Sequence, residues 1–226
     1  MKKELDRIEE NEFIFNIVVP VFNAEKYIEK CLNSILNQSY KRFQVQVVDD
    51  CSGDSSYEIA SSICKDNKNL KIFRNSRRIG ALNNIYNLLN TEIKEPTKTI
   101  DLIVDGDDYL YSGEVFNILK EKYIQTNCLI TYGSHISSQG VQGKKYPRLI
   151  RDLNLFRKYF WYASHLKTFR HDLWLALNPE DLINKNREYF SVASDLAIMF
   201  PMLEMAGNRQ EFISDILYVY NDKNPI

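Results

Sequence analysis

The chain has 226 residues, with 29 Lys and Arg against 30 Asp and Glu, a formal charge of −1 at neutral pH. At 44% hydrophobic and 26% charged residues it has enough apolar material for a buried core. That composition excludes a disordered chain and lacks the basic excess of a nucleic-acid binder.

In chain order, the first dozen residues are charged and read as an N-terminal arm, residues 1–12. Phe13 to Val19 is a β-rich apolar run ending at Pro20, the pattern of a buried strand. Tyr27, Ile28, Cys31, Leu32, Ile35 and Leu36 then repeat at helical spacing, with Asn23 expected as the N-cap. Phe43–Val48 is a second strand, closed by the turn-forming Asp49-Asp50-Cys-Ser-Gly-Asp54. A helix over Ser55–Cys64, a short strand at Leu70–Phe73 and a helix over Gly80–Leu89 follow. After a polar stretch, Thr99–Val104 reads as a fourth strand and runs straight into Asp105-Gly-Asp-Asp108. Val115–Tyr123 (helix), Cys128–Tyr132 (strand), a surface loop or hairpin tip at Ser137–Lys145 and a helix over Ala193–Ala206 complete the pattern. Strands alternating with helices imply βαβ crossovers, so the expected class is α/β: a Rossmann-like, mainly parallel sheet flanked by helices. The expected organisation is a single domain, 1–226, with unequal halves at about 13–111 and 112–226.

No stretch reaches the ~18–20 consecutive apolar residues of a membrane span. The start, Met1-Lys-Lys-Glu-Leu-Asp-Arg7, is too charged for a signal peptide. Cys31, Cys51, Cys64 and Cys128 have no metal-ligand or redox spacing, and with the absent signal they point to a reduced, cytoplasmic protein. Asn37-Gln-Ser39 matches a glycosylation acceptor but sits at a helix end, and is read as chance.

Ligands of open α/β sheets bind beyond the carboxyl ends of the strands. Here the first strand ends in Pro20-Val-Phe-Asn23, the second in Asp49-Asp50 and the fourth in Asp105-Gly-Asp-Asp108, so all three should open on one rim. Each acidic turn taken alone is also an ordinary solvated turn; together they place repelling carboxylates side by side. A divalent cation relieves that repulsion, and oxygen ligands suit Mn²⁺ or Mg²⁺.

These residues resemble the family 2 glycosyltransferases of GT-A fold. The resemblance runs through Ile17-Val-Val-Pro-Val-Phe-Asn23, Cys31–Gln38, Val47-Val-Asp-Asp50, Asp105-Gly-Asp-Asp108, and Ser194-Asp195 through Gly207. It implies an inverting transfer of sugar from a nucleotide diphosphate donor, a UDP-sugar by family tendency, to an acceptor hydroxyl of a glycan, lipid or protein. It also implies roles. Pro20, Val21, Asn23, Asp49 and Asp50 would shape the nucleotide pocket, with Asp50 on the base. Arg78, Gly80 and Asn83 would stand near the nucleotide. Asp105 would open the acidic motif, Asp107 and Asp108 would hold the ribose-diphosphate and the metal, and Asp195 would be the general base. Asp195 alone also reads as a helix N-cap. Trp161 and His165 fall where some members build the acceptor side, although an aromatic-rich stretch is as readily core.

Two features depart from the family. No histidine follows His171, so the late histidine that often completes the metal shell has no candidate after Asp195. The chain also stops soon after Tyr218-Val-Tyr-Asn221, which suggests a domain of a longer protein. The rival readings are a sugar nucleotidyltransferase, whose glycine-rich loop is missing after the first strand, and a non-catalytic nucleotide-sugar or carbohydrate-binding domain. A glycosidase would need paired carboxylates but no nucleotide pocket.

Overall fold

A computed structural model describes residues 13–224. The arm expected over residues 1–12 lies outside the described residues.

The N-terminal part is four parallel strands: β1 (Ile14–Val21), β2 (Phe43–Asp49), β3 (Leu70–Arg74) and β4 (Thr99–Ile103). Between them run the helices α1 (Ile28–Leu36), α2 (Ser56–Lys65) and α3 (Ala81–Leu89). β1 is buried from Phe15 to Val21, because helices cover both faces of the sheet. Side chains alternate across a strand, and the core divides accordingly. Ile17 and Val19 pack with α1, while Val18 joins Val48, Ile103 and Leu82, Ile85 and Leu88 of α3. β1 continues to Val21, beyond the expected stop at Pro20; Pro20 pairs in register with Val48.

The remainder comprises β5 (Tyr109–Leu110), α4 (Val115–Thr126), β6 (Ile130–Ser137), β7 (Gly140–Gln142), α5 (Arg148–Asp152), β8 (Thr168–Arg170), α6 (His171–Leu175), α7 (Ser194–Ala206) and β9 (Gln210–Val219). All nine strands form one sheet, ordered β3-β2-β1-β4-β8-β6-β9-β5, with β7 as a hairpin on β6. That hairpin is the expected tip within 137–145. β8 enters antiparallel to β4, and β9 runs parallel to β6.

β1 has β2 on one side and β4 on the other, so the chain reverses its direction of winding there. Such a switch point opens a crevice beyond the strand ends. Inside the sheet, Asn16 donates to Asp101 (2.7 Å) and accepts from Gln46 (3.0 Å), while His171 Nδ1 meets Asp101 at 2.8 Å. His171, silent in the sequence, is thus a buried partner that fixes the register of β1, β2 and β4.

Candidate active site

The ends of β1, β2 and β4 meet on one rim. Asp50 N–H donates to Val21 O (2.8 Å), and Gly106 N–H to Pro20 O (3.1 Å). The loop after β4 lies so close to β1 that a Cβ at Gly106 would stand 2.9 Å from Val21 Cγ2 and 3.1 Å from Pro20 O. Pro20 and Val21 therefore form the floor on which the acidic loop rests.

Asn23 corrects the N-cap expectation. It takes a left-handed conformation (φ 50°), its N–H donates to Ser52 Oγ (3.0 Å) and its Oδ1 accepts from Gly53 N–H (2.9 Å). Asn is among the residues that tolerate this backbone region. α1 starts later, after Tyr27, with no side-chain cap. Asn23 instead ties the end of β1 to the loop after β2.

Asp49 and Asp50 are both buried. Asp49 accepts from Ser52 N–H (3.2 Å) and pairs with Arg74 Nε (3.3 Å). Asp50 accepts from Asn75 Nδ2 (2.8 Å), Ile79 N–H (2.9 Å) and Gly80 N–H (2.8 Å). Burial alone would raise its pKa; the donors from Ile79, Asn75 and Gly80 outweigh it and hold the carboxylate below its ordinary range. A carboxylate has about four acceptor positions, so little capacity is left for a ligand. Asp50 first of all fixes the turn into α3. Gly80 suits that turn, with φ 91°. Asn84, rather than the expected Asn83, points into this network: Asn84 Oδ1 accepts from Asn75 at 2.7 Å, while Asn83 bonds Asn87 on the helix surface. Arg78 is exposed and lies over the Phe22 ring, 3.8 Å from its centroid.

The acidic loop after β4 holds three carboxylates in different settings. Asp107 is partly exposed and accepts from Asn224 Nδ2 (2.9 Å). Asp108 is buried; Oδ1 accepts from Asn221 N–H (2.7 Å) and Oδ2 has no partner. Asp105 N–H donates to the Tyr218 hydroxyl at 3.1 Å. Burial, with Asp195 and Asp107 against the opposing Lys167, raises Asp105 to about 6. Burial and Asp105 raise Asp108 to about 7.

His165 completes this group. Ligand atoms of Asp105, Asp108 and His165 all lie within 4.8 Å of one another. His165 Nδ1 is buried without a partner, and its ring stacks on Tyr218 and Tyr220 at 4.8 and 5.2 Å between centroids. Burial first, then Lys167, pushes its pKa well below the ordinary value, so the ring is neutral and keeps a lone pair for a metal. Unsatisfied buried oxygen and nitrogen atoms in one such group are what a divalent cation would satisfy. The donor set thus fits Mn²⁺, or Mg²⁺ with added water. The histidine of this group lies upstream of Asp195, because β8 runs antiparallel beside β4 and brings His165 to the rim.

Asp195 is the second residue of α7 and forms no cap hydrogen bond. Its Oδ1 lies 2.5 Å from Lys167 Nζ. Burial would raise its pKa; Lys167 and His165 overcome that and hold it below the ordinary range, so the carboxylate is ionised. Trp161 is half-buried, its ring 5.2 Å from Phe200 on α7. Two hollows adjoin the cluster. One of about 290 Å³ is lined by His135, Gln142, Ser164, His165 and Tyr220. The other, about 610 Å³, is lined by Tyr27, Lys30, Asp107, Tyr109 and Tyr220. Among the described residues, no helix is long and apolar enough to cross a membrane.

The model of the family described as Glycosyl transferase family 2 matches residues 16–190. The poly(ribitol-phosphate) β-N-acetylglucosaminyltransferase TarS of Staphylococcus aureus is 27% identical over 215 residues, covering 92% of this chain and 35% of TarS. Glycosyltransferase GlyA of Streptococcus pneumoniae is 30% identical over 137 residues, 60% of this chain and 19% of GlyA. The chain thus spans about a third or less of the length of these relatives. A crystal structure of S. aureus TarS in complex with UDP-GlcNAc superposes with a TM-score of 0.69 at 22% identity, covering 95% of this chain and 60% of that one. Mannosyltransferase PcManGT from Pyrobaculum calidifontis, in complex with GDP-Man and Mn²⁺, gives 0.65 at 19% identity, covering 92% and 57%. The fold is therefore the expected GT-A arrangement, shared with TarS.

Proposed function

The chain belongs to glycosyl transferase family 2, and from that premise we propose that it transfers a sugar, with inversion, from a UDP-sugar to an acceptor hydroxyl. The observation that carries this reading is the rim cluster: Asp105, Asp108 and His165 converge, Asp108 Oδ2 and His165 Nδ1 are buried without partners, and the ionised Asp195 stands beside them.

The donor nucleotide lies over the Pro20–Asn23 and Asp49–Gly53 loops, with Gly80 and Arg78 at its far edge. Asp105, Asp107, Asp108 and His165 are the groups that would hold Mn²⁺ or Mg²⁺. When bound, such a cation offsets negative charge on the departing diphosphate. Asp195 Oδ2 takes the proton of the acceptor hydroxyl while that oxygen attacks the anomeric carbon. The bond to the diphosphate breaks, and its electron pair leaves with UDP. A sugar hydroxyl is a poor nucleophile, and a positioned carboxylate contributes about 10²–10⁴-fold to such a step. His165, Trp161 and the hollow beside His135 flank the acceptor's approach.

A sugar nucleotidyltransferase has less support, since Pro20-Val-Phe-Asn23 stands where its glycine-rich loop would be. Incubation with Mn²⁺ and UDP-, GDP- and other sugar nucleotides separates the readings. Release of the nucleoside diphosphate is expected. Pyrophosphate release from a nucleoside triphosphate and a sugar phosphate would overturn the proposal, and binding of UDP-sugar without turnover would favour a non-catalytic domain.

A further inference from the structure

Lys167 has no part in the transfer described above, yet it stands at the centre of the rim. Its side chain is 1% exposed, and its Nζ lies 2.5 Å from Asp195 Oδ1. Among the described residues no other hydrogen bond or ion pair of this ammonium is seen. A buried ion pair is a poor source of stability, because an apolar pair of similar volume serves as well. Its cost has to be set against what it places. Asp195 is a third exposed, so with Oδ1 held by Lys167 the carboxylate keeps its other oxygen for a ligand. The groups facing Asp195 are Lys167 and His165 from the segment leading into β8, Asp105 from the loop after β4 and Tyr220 just after β9. Asp105 repels an ionised Asp195, and Lys167 is the charge that opposes this.

We propose that Lys167 is a positioning residue for Asp195, gripping Oδ1 so that Oδ2 faces the acceptor hydroxyl. This rests on the reading of Asp195 as the general base. In the transfer, the acceptor proton passes to Oδ2 and Lys167 keeps all three of its own. With Lys167 gone, Asp195 loses the donor on Oδ1 and the ammonium charge that opposes Asp105. The carboxylate then loses its fixed orientation.

The test compares Lys167→Met, Lys167→Arg and Asp195→Asn with the wild-type chain, following UDP release from UDP-GlcNAc with Mn²⁺ as a function of pH. Lys167→Met is expected to lower kcat about 10²-fold, with the KM for donor changed by less than about threefold. It should also move the acid limb of the profile upward. Lys167→Arg, which still offers a cationic donor, should recover most of kcat and the original acid limb. Unchanged kcat in Lys167→Met, or a loss with the acid limb unmoved, overturns the proposal. If Asp195→Asn is inactive while Lys167→Met is active, this inference alone fails; if Asp195→Asn is active, the general-base reading fails with it. Should Lys167→Met not fold, Lys167→Gln, which keeps an amide donor without the charge, takes its place. A loss of kcat with the KM for donor unchanged supports the grip, and unchanged kcat overturns it.

Discussion

Replacing Gly106 with alanine adds one methyl group where β1 leaves no room. The new Cβ would lie 2.9 Å from Val21 Cγ2 and 3.1 Å from the Pro20 carbonyl oxygen. The side-chain atom can turn away, but the carbonyl belongs to a strand paired on both sides, so the loop has to move instead. Overpacking of this kind costs about 1–3 kcal/mol. For a chain of this size that corresponds to a fall in Tm of about 2–12 °C. Displacing residues 105–108 also separates Asp105 and Asp108 from His165. Calorimetric unfolding should therefore show the lower Tm, and titration with Mn²⁺ and UDP should show weakened binding. Gly53→Ala is the control for Tm, since its Cβ would meet nothing nearer than Asn23 Oδ1 at 4.0 Å. If Gly106→Ala matches the wild type in Tm and in Mn²⁺-dependent UDP binding, the close packing of this loop on β1 is not what positions the acidic residues.

His165→Gln should weaken Mn²⁺ binding and remove the nitrogen coupling in the electron spin-echo spectrum of bound Mn²⁺; an unchanged nitrogen signal would exclude His165 as a ligand. Asp50→Asn should destabilise the fold by about 1–3 kcal/mol at pH 7 in urea unfolding, because it replaces a charged acceptor of several hydrogen bonds. The folded pKa of Asp50 is depressed, so its contribution is present above the unfolded value of about 3.9 and is lost as pH falls through the folded value. The gap between variant and wild type should accordingly narrow on acidification below pH 4. Arg74→Ala, by contrast, removes a half-exposed partner of Asp49 and should cost about 1 kcal/mol or less in the same assay.

The first half of the fold is legible in the sequence because its strands are continuous apolar runs and its helices have clear apolar stripes. Ile28, Cys31, Leu32 and Ile35 are all buried on α1. The acidic turns could be read as one rim because parallel strands put their carboxyl ends on the same side. Beyond Asp108 the signals weaken: β8 has three residues and α6 five, too short for a periodic pattern. Lys167 was missed because a lone lysine is ordinarily a surface residue, and its burial depends on a pairing with Asp195 that is 28 positions away. The same holds for Asn221 and Tyr218, which reach the acidic loop because β9 crosses behind it to pair with β5. Asn83 and Asn84 present different faces of α3, since a one-residue step on a helix turns by about 100°, and only the fold shows that Asn84 meets Asn75. The histidine of the candidate cation site was sought downstream of Asp195, and chain order gave no hint that β8 returns it to β4.

The most direct measurement is the turnover of Asp195→Asn against wild type at saturating UDP-sugar and Mn²⁺, paired with the affinity of each for UDP. The site described here predicts a loss of about 10²–10⁴-fold in kcat, with UDP affinity changed by about twofold or less. Turnover within about threefold of wild type would contradict it.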